Sequence, residues 1–414
     1  MSRKMLFAAS TAVMALGLAA WIFQLLNGLV ITNMSNLFNW GLYIGCFVFL
    51  VGVAAGGMII SSCIYLFNIK LLKPFGKIAS LSAFACALGA GTMVIVDLGS
   101  VQNILNIFIH PNFSSPLVWD VIVISCYIVL TFLSVYFQLL PDCKERGLWF
   151  FNGWVRKASE EKVLRISQKG SRRVALIGLP FAVLIHTVTA LIFATQNGHE
   201  YWHTAMLPPD FIAMAVASGG SLVLLLAMGL AGKDSFKENL GAYRLIARIA
   251  ATGAVVHFFF VAMELILLAW TSSFDTLELL GRLFGTYGIL YAIELVFPFV
   301  ALVMFYRKST SSSAGMLITA SVLMLIGTLA HRFMLLFPEL SVSHISLSVQ
   351  TLSGTVDWLY PVSTGRFAQT GMAFSSVYAY VPTGAEYLVA LLPIGLTLTV
   401  LAFMALRYPL VSQK

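Results

Sequence analysis

A few ionisable side chains set into otherwise apolar runs are the places where this sequence can do chemistry. The clearest lies within Arg172 to Asp210, RRVALIGLPFAVLIHTVTALIFATQNGHEYWHTAMLPPD. Two arginines open an apolar run, His186 sits inside it, and a polar aromatic stretch closes it ahead of Pro208 and Pro209. An ionisable group in hydrocarbon is costly, so it is by default a functional candidate whose partner the surrounding protein must supply. Asp97 ends one apolar run and Asp120 opens the next, in Pro116-Leu117-Val118-Trp119-Asp120. Histidine titrates near neutral pH and responds to its neighbours, so a carboxylate and imidazole group of Asp97, Asp120 and His186 suits the proton exchange that accompanies quinone redox chemistry. The plainer alternative for Asp120 is a helix N-cap.

Asn39 and Tyr43 are spaced i, i+4, so on a helix an amide and a phenol point the same way at one depth, as binding a quinone carbonyl requires. The alternative is an interfacial aromatic belt. A second polar chain lies further on. His257 and Glu264 are seven apart and share a helix face, Glu294 lies within Leu290-Tyr291-Ala292-Ile293-Glu294, and His331-Arg332 follow. These groups read either as a proton path or as a buried ion-pair network in which Arg332 neutralises Glu264 or Glu294.

The elements that position these groups follow from composition. Hydrophobic residues are 59% of 414, charged residues 10%, and mean hydropathy is +0.90, which excludes a soluble globular domain. Spans of about 20 apolar residues fall at 6–31, 39–68, 75–98, 116–140, 172–196, 208–231, 244–270, 284–305, 314–338 and 384–407. The fold class is therefore all-α, a polytopic membrane protein with ten transmembrane helices. Helices 2–5 and 6–9 are expected to form two four-helix bundles, over 35–196 and 208–338, with helices 1 and 10 flanking them in a single membrane domain. At 1.5 Å per residue, His186 lies about 15 Å inside the outer end of its helix.

With the N-terminus inside, all of the 25 Lys and Arg except Arg282, Arg332 and Arg366 fall on the cytoplasmic side. The bias places both termini in the cytoplasm and assigns the net charge of +8 to topology rather than to nucleic acid. The N-terminal run resembles a signal peptide but continues through Trp21 to Ile31, so an uncleaved first helix is expected. The basic segment 141–171 is expected to form a short surface helix on anionic lipid. On the other side, 339–383 alternates polar and apolar residues and is long for a connector, which suits a periplasmic docking loop. The five cysteines form no CxxC pair, so neither an iron–sulfur cluster nor a disulfide framework is expected in this chain, and no residues are assigned as metal ligands.

Several stretches together resemble the NrfD/polysulfide reductase (PsrC-like) family of integral membrane proteins. They are Asn39-Trp40-Gly41 leading into Gly52-Val53-Ala54-Ala55-Gly56-Gly57, the Pro-Leu-Val-Trp-Asp opening at 116, Leu184-Ile185-His186, and the Trp202 segment leading into Ala217-Ser218-Gly219-Gly220. Ten helices are similar to the longer members found in alternative complex III and the periplasmic quinone reductase complex. The resemblance implies a quinone-binding membrane subunit of a multisubunit respiratory oxidoreductase in the bacterial inner membrane. Such a protein takes menaquinone or ubiquinone as bound substrate, carries no haem, and sits beside a periplasmic iron–sulfur protein and a larger catalytic or cytochrome subunit. By resemblance the quinone site would fall on Asn39, Tyr43 and Asp97, with Asp120 and His186. Where the membrane protein of polysulfide reductase has a histidine one turn below the asparagine, this chain has Tyr43. Two rivals come from other classes. A b-type cytochrome would use His186, His257 and His331 as haem ligands, and a secondary transporter would break helices at Pro180 and Pro298.

Overall fold

The computed structural model describes residues 3–146, 153–199, 201–271, 274–365 and 373–410. Ten of its helices are long and apolar enough to cross a membrane. They are α1 Arg3–Asn27, α2 Leu42–Leu66, α3 Gly76–Asp97, α4 Pro116–Arg146, α5 Glu160–Ala194, α6 Leu207–Glu238, α7 Leu240–Thr271, α8 Gly288–Tyr306, α9 Ala314–Leu340 and α10 Gly384–Arg407. The chain is a multi-pass membrane protein, and its expected spans and all-α class hold.

Helices α2, α3, α4 and α5 close one ring of contacts, and α6, α7, α8 and α9 close another. Helix α2 joins the two, since it also packs on α6 and α9. The join is made by glycines. A β-carbon on Gly56 would lie 2.2 Å from the Ala215 carbonyl oxygen, and one on Gly219 would lie 2.4 Å from Gly56 Cα, so only hydrogen at both positions lets the backbones touch. Helices α1 and α10 pair by the same device, with Gly17 against the backbone of Leu391 and Leu392 and Gly395 against that of Met14. This pair rests on α3, where Thr397 donates to the Ala85 carbonyl at 3.2 Å. The other face of α1 turns Leu16, Phe23 and Leu26 outward, as a lipid-facing helix does.

The departures from the expected spans have local causes. Helix α5 starts at Glu160 rather than 172, because the Ser159 hydroxyl caps it by accepting from the Lys162 amide and Glu160 and Glu161 occupy its first turn. Most of the segment expected as one surface helix is thus absorbed into α4 and α5, leaving a short helix at Gly153–Lys157. Residues 147–152 lie outside the described residues. Neither Pro180 nor Pro298 interrupts its helix. Gly327 of α9 makes room for the Pro298 ring, which a β-carbon there would meet at 2.3 Å.

The excursion between α9 and α10 is not helical. Strands β1 Ser346–Thr351 and β2 Gly354–Leu359 form an antiparallel hairpin, and β3 Val362–Ser363 pairs with β4 Phe374–Ser375. Gly354, at φ +122°, supplies the turn conformation that other residues avoid. Ile345, Leu347, Val349, Val356 and Trp358 are exposed along the hairpin. Its foot is tied down by Tyr378, whose hydroxyl donates to the Asn33 carbonyl at 3.0 Å, and by Tyr380, stacked on Phe38 at 4.4 Å. Arg366 and the rest of 366–372 lie outside the described residues. Below, the end of the molecule carrying this hairpin is called the excursion end.

Candidate functional site

Three polar centres lie in the half of the molecule towards the excursion end. The first is at the outer corner of α2 and α3. Tyr43 is fully buried and its hydroxyl donates to Gln24 Oε1 at 2.7 Å, while Gln24 Nε2 donates to the Val96 carbonyl at 2.6 Å. Asp97, next in the chain, has Oδ1 closed off from solvent with no hydrogen-bond partner. Glu386 of α10 is within electrostatic reach of both Tyr43 and Asp97. Glu386 accepts from the amides of Asn33 (2.9 Å) and Thr383 (2.8 Å) and from the Tyr380 hydroxyl, which in turn accepts from the Leu42 amide at 2.9 Å. Burial, with Glu386 beside it, pushes the Tyr380 phenol far above its ordinary value, so it stays a donor.

The structure corrects the pairing of Asn39 with Tyr43. Helix α2 begins at Leu42, so Asn39 precedes it, exposed, in irregular chain and shares no helix face with Tyr43. The Tyr43 hydroxyl is also already committed to Gln24. Gln24 and Glu386 escape a reading in which helices 1 and 10 are only flanks. Glu386 nonetheless has a sequence signal, since Thr383-x-x-Glu386 is a capping box and the structure forms it.

The second centre is Asp120. It is buried and accepts from the Thr189 hydroxyl at 2.5 Å. It also lines a cleft of about 280 Å³ between α3 and α4, one wall of which is the short segment Ile104–Phe108. The other walls are apolar, including Ile95, Leu98, Ile124 and Ile128, and Phe108 is half exposed, so the cleft reaches the protein surface. Asn39, Tyr43, Asp97 and His186 do not line it.

His186 faces the other way. No hydrogen bond or ion pair joins it to Asp97 or Asp120 among the described residues, which corrects the expected three-residue group. Instead, a β-carbon built on Gly52 would lie 3.8 Å from His186 Nε2, 3.8 Å from an Arg332 terminal nitrogen and 4.0 Å from Ser218 Oγ. His186 therefore looks across α2 towards the second bundle. Arg332 is buried and lies over the Phe211 ring at 3.9 Å. Its guanidinium has no hydrogen-bond partner among the described residues.

The third centre fills the second bundle, and its hub is Asp210. Asp210 Oδ1 lies 2.6 Å from His257 Nδ1, Asp210 Oδ2 lies 3.2 Å from His331 Nε2, and His331 Nδ1 lies 2.7 Å from Glu294 Oε1. All four residues are buried, and the two imidazole rings are 4.8 Å apart. His331, not Arg332, pairs with Glu294, and no ion pair joins Arg332 to Glu264 or Glu294 among the described residues. Each imidazole turns a nitrogen to Asp210, an arrangement unlike two axial ligands facing each other across a haem. Sequence reasoning passes over Asp210 because Leu-Pro-Pro-Asp looks like a loop end. Its one available signal is an acid in the first helical turn followed by an unbroken apolar run.

Glu264 lies above this network and lines a second cleft, of about 440 Å³, with Asn197, Tyr201, His203 and Thr204. Burial, with Glu264 and Glu294 near, pushes the Tyr201 phenol well above its ordinary value. Trp202 beside it is buried and donates to the Leu335 carbonyl at 2.6 Å, fixing the 195–206 segment to α9.

Comparison with known proteins agrees with this architecture. The family described as Polysulphide reductase, NrfD matches residues 30–342. A Halobacterium salinarum protein provisionally named as a dimethyl sulfoxide reductase membrane subunit is 28% identical, over 90% of this chain and 84% of its own. A selenate reductase subunit of Mesobacillus selenatarsenatis is 26% identical over 58% of this chain and 61% of its own. The Hdr-like menaquinol oxidoreductase integral membrane subunit of Archaeoglobus fulgidus is 30% identical over 51% of this chain and 47% of its own.

Proposed function

The chain belongs to the polysulphide reductase NrfD family, and on that premise we propose that it is the quinone-binding membrane subunit of a respiratory oxidoreductase complex. It exchanges electrons between the quinone pool and an iron–sulfur protein docked at the excursion end. The observation that carries this reading is the apolar cleft between α3 and α4 with a single buried carboxylate, Asp120, on its wall. Apolar walls suit a ring and an isoprenoid tail, and one carboxylate held by Thr189 gives the headgroup an acid–base partner. Asp97 and Tyr43, at the outer corner of α3 and α2, are a second polar station close to the same helix end. The name of the Archaeoglobus fulgidus relative, a menaquinol oxidoreductase subunit, favours menaquinone.

The docking surface is the hairpin 346–359 with the 195–206 segment. An exposed hairpin bearing Leu347, Val349 and Trp358 presents apolar area that a monomer would otherwise leave in water. The basic residues at the opposite end favour cytoplasmic termini and an excursion on the outer side of the inner membrane. The network around Asp210 would serve proton movement, with the Glu264 cleft as its opening to the outside.

The test is Asp120→Asn in the complex purified through a tag on this chain. Quinone-linked turnover falls about tenfold or more, while co-purification of the partner subunits is unchanged. Normal turnover in a well-assembled Asp120→Asn complex would place the quinone elsewhere.

A further inference from the structure

We propose that His199, Glu339 and His344 form a divalent-metal site that staples the foot of the excursion to the 195–206 segment. Two separate stretches of chain bring the donors together: the loop after α5, and the last turn of α9 with the residues just beyond it. His199 Nδ1 is 3.3 Å from Glu339 Oε1, and His344 Nε2 is 3.7 Å from the same oxygen. The three donor atoms all lie within 4.8 Å of one another. Ligands about 2.0–2.2 Å from a tetrahedral zinc ion stand about 3.3–3.6 Å from each other, so the measured separations are close to the edges of such a site.

The carboxylate gives the second, independent reason. Glu339 is only 2% exposed, and its Oε1 has no hydrogen-bond partner among the described residues. A buried carboxylate left in that state is expensive, and a cation between it and the imidazoles removes the cost. Arg282 lines the same small cavity but pairs with Glu278 at 3.0 Å and forms no ion pair with Glu339 among the described residues. That cavity, about 40 Å³ and walled by Gly198, Arg282, Glu339 and His344, adjoins the three donors and has room for a water beside the ion.

The rings are already oriented. His199 stacks on Trp202 at 4.3 Å between ring centres and stands edge-on to His344 at 4.2 Å. Trp202 is itself fixed by its bond to the Leu335 carbonyl, so the plane of the loop imidazole is set by packing. His344 Nε2 lies 2.8 Å from the Glu339 carbonyl oxygen. Ligation therefore selects the tautomer protonated at Nδ1 and gives up that hydrogen bond. Two imidazoles and a carboxylate are a zinc-type donor set that leaves a fourth position for water. This inference uses none of the groups of the quinone cleft, although His199 lies in the proposed docking surface, and it stands or falls apart from quinone binding.

The experiment titrates Zn²⁺ into the chelator-stripped protein in detergent against a chromophoric competitor, with Co²⁺ absorption as a second readout of a tetrahedral site. One ion binds per chain, and affinity falls about tenfold or more in Glu339→Gln, His344→Ala and His199→Ala, while His110→Ala is unchanged. Because Glu339 is buried, its variant can misfold. His199→Ala replaces a partly exposed side chain and keeps the test decisive. Zn²⁺ also slows proteolysis of the 346–359 hairpin in the parent protein but not in His344→Ala. Equal affinity in the parent and in His199→Ala and His344→Ala, or no saturable binding, overturns the site.

Discussion

The two four-helix bundles dispose of their ionisable groups in opposite ways. In the first, Asp97, Asp120 and His186 stand apart from one another, each with its own surroundings, and Asp120 opens onto an apolar cleft. In the second, Asp210, His257, His331 and Glu294 are fused into one chain of contacts no longer than 3.2 Å per link. A buried carboxylate held only by a neutral hydroxyl has no internal counter-charge, so it stays free to hydrogen-bond with what occupies the cleft. Groups in a mutual network hold each other's charge, and removing one exposes the rest. The first arrangement suits a ligand site, and the second suits a charge store or a structural lock. The bundles touch at Gly52 and Gly56, where His186 on one side and Arg332 on the other approach the same point.

The largest expected effect comes from forcing the bundles apart. Gly56→Leu and Gly219→Leu both put side-chain atoms into the backbone of the facing helix, which has no way to retreat within a packed seam. Little monodisperse protein should survive size-exclusion chromatography in detergent. Gly229→Leu, on the same helix with nothing within 4 Å, is the matched control and should elute normally. Equal yields from the three variants would mean that the bundles are not joined at this seam.

Next in size is the contrast between two aspartates. Asp210→Asn leaves two imidazoles facing a neutral amide in a buried site, and breaking a buried pair in this way costs about 3–5 kcal/mol. The drop should appear as a lower midpoint in thermal or denaturant unfolding. Asp120→Asn, with Thr189 still able to hydrogen-bond the amide, should unfold within about 1 kcal/mol of the parent and lose turnover instead. If Asp120→Asn were the more destabilising of the two, the division into ligand site and network would be reversed.

What could be read from the sequence tracks what local pattern encodes. Ten apolar runs, a one-sided charge bias and small residues at Gly56 and Gly219 are local signals, and the spans and the close-packed seam follow from them. The site was less legible because its partners come from distant elements. Gln24 and Glu386 complete the surroundings of Tyr43 from the two ends of the chain, and Asp210 meets His257 and His331 only once three helices are packed. Asn39 shows the opposite failure. A spacing of four carries meaning only inside a helix, and the helix begins three residues later, where the Leu42 amide is met by the Tyr380 hydroxyl from the far end of the chain.

The smallest expected effect belongs to Glu264, and it sharpens the comparison most. This carboxylate shares helix α7 with His257 but forms no ion pair among the described residues, and it lines the cleft beside Tyr201 and His203 rather than the Asp210 network. Glu264→Gln keeps the shape of the cleft wall and replaces a carboxyl group that forms no ion pair among the described residues. Its effect on unfolding should therefore stay within about 1 kcal/mol, and quinone-linked turnover in detergent should remain within about twofold of the parent. Charge movement is a separate matter, because a group between an outer cleft and a buried network is where a proton would pass. In sealed vesicles, loss of membrane potential at near-normal turnover marks Glu264 as the mouth of the network. Unchanged potential makes the second bundle a structural lock, and collapse of turnover in detergent moves the quinone chemistry from the first bundle to the second.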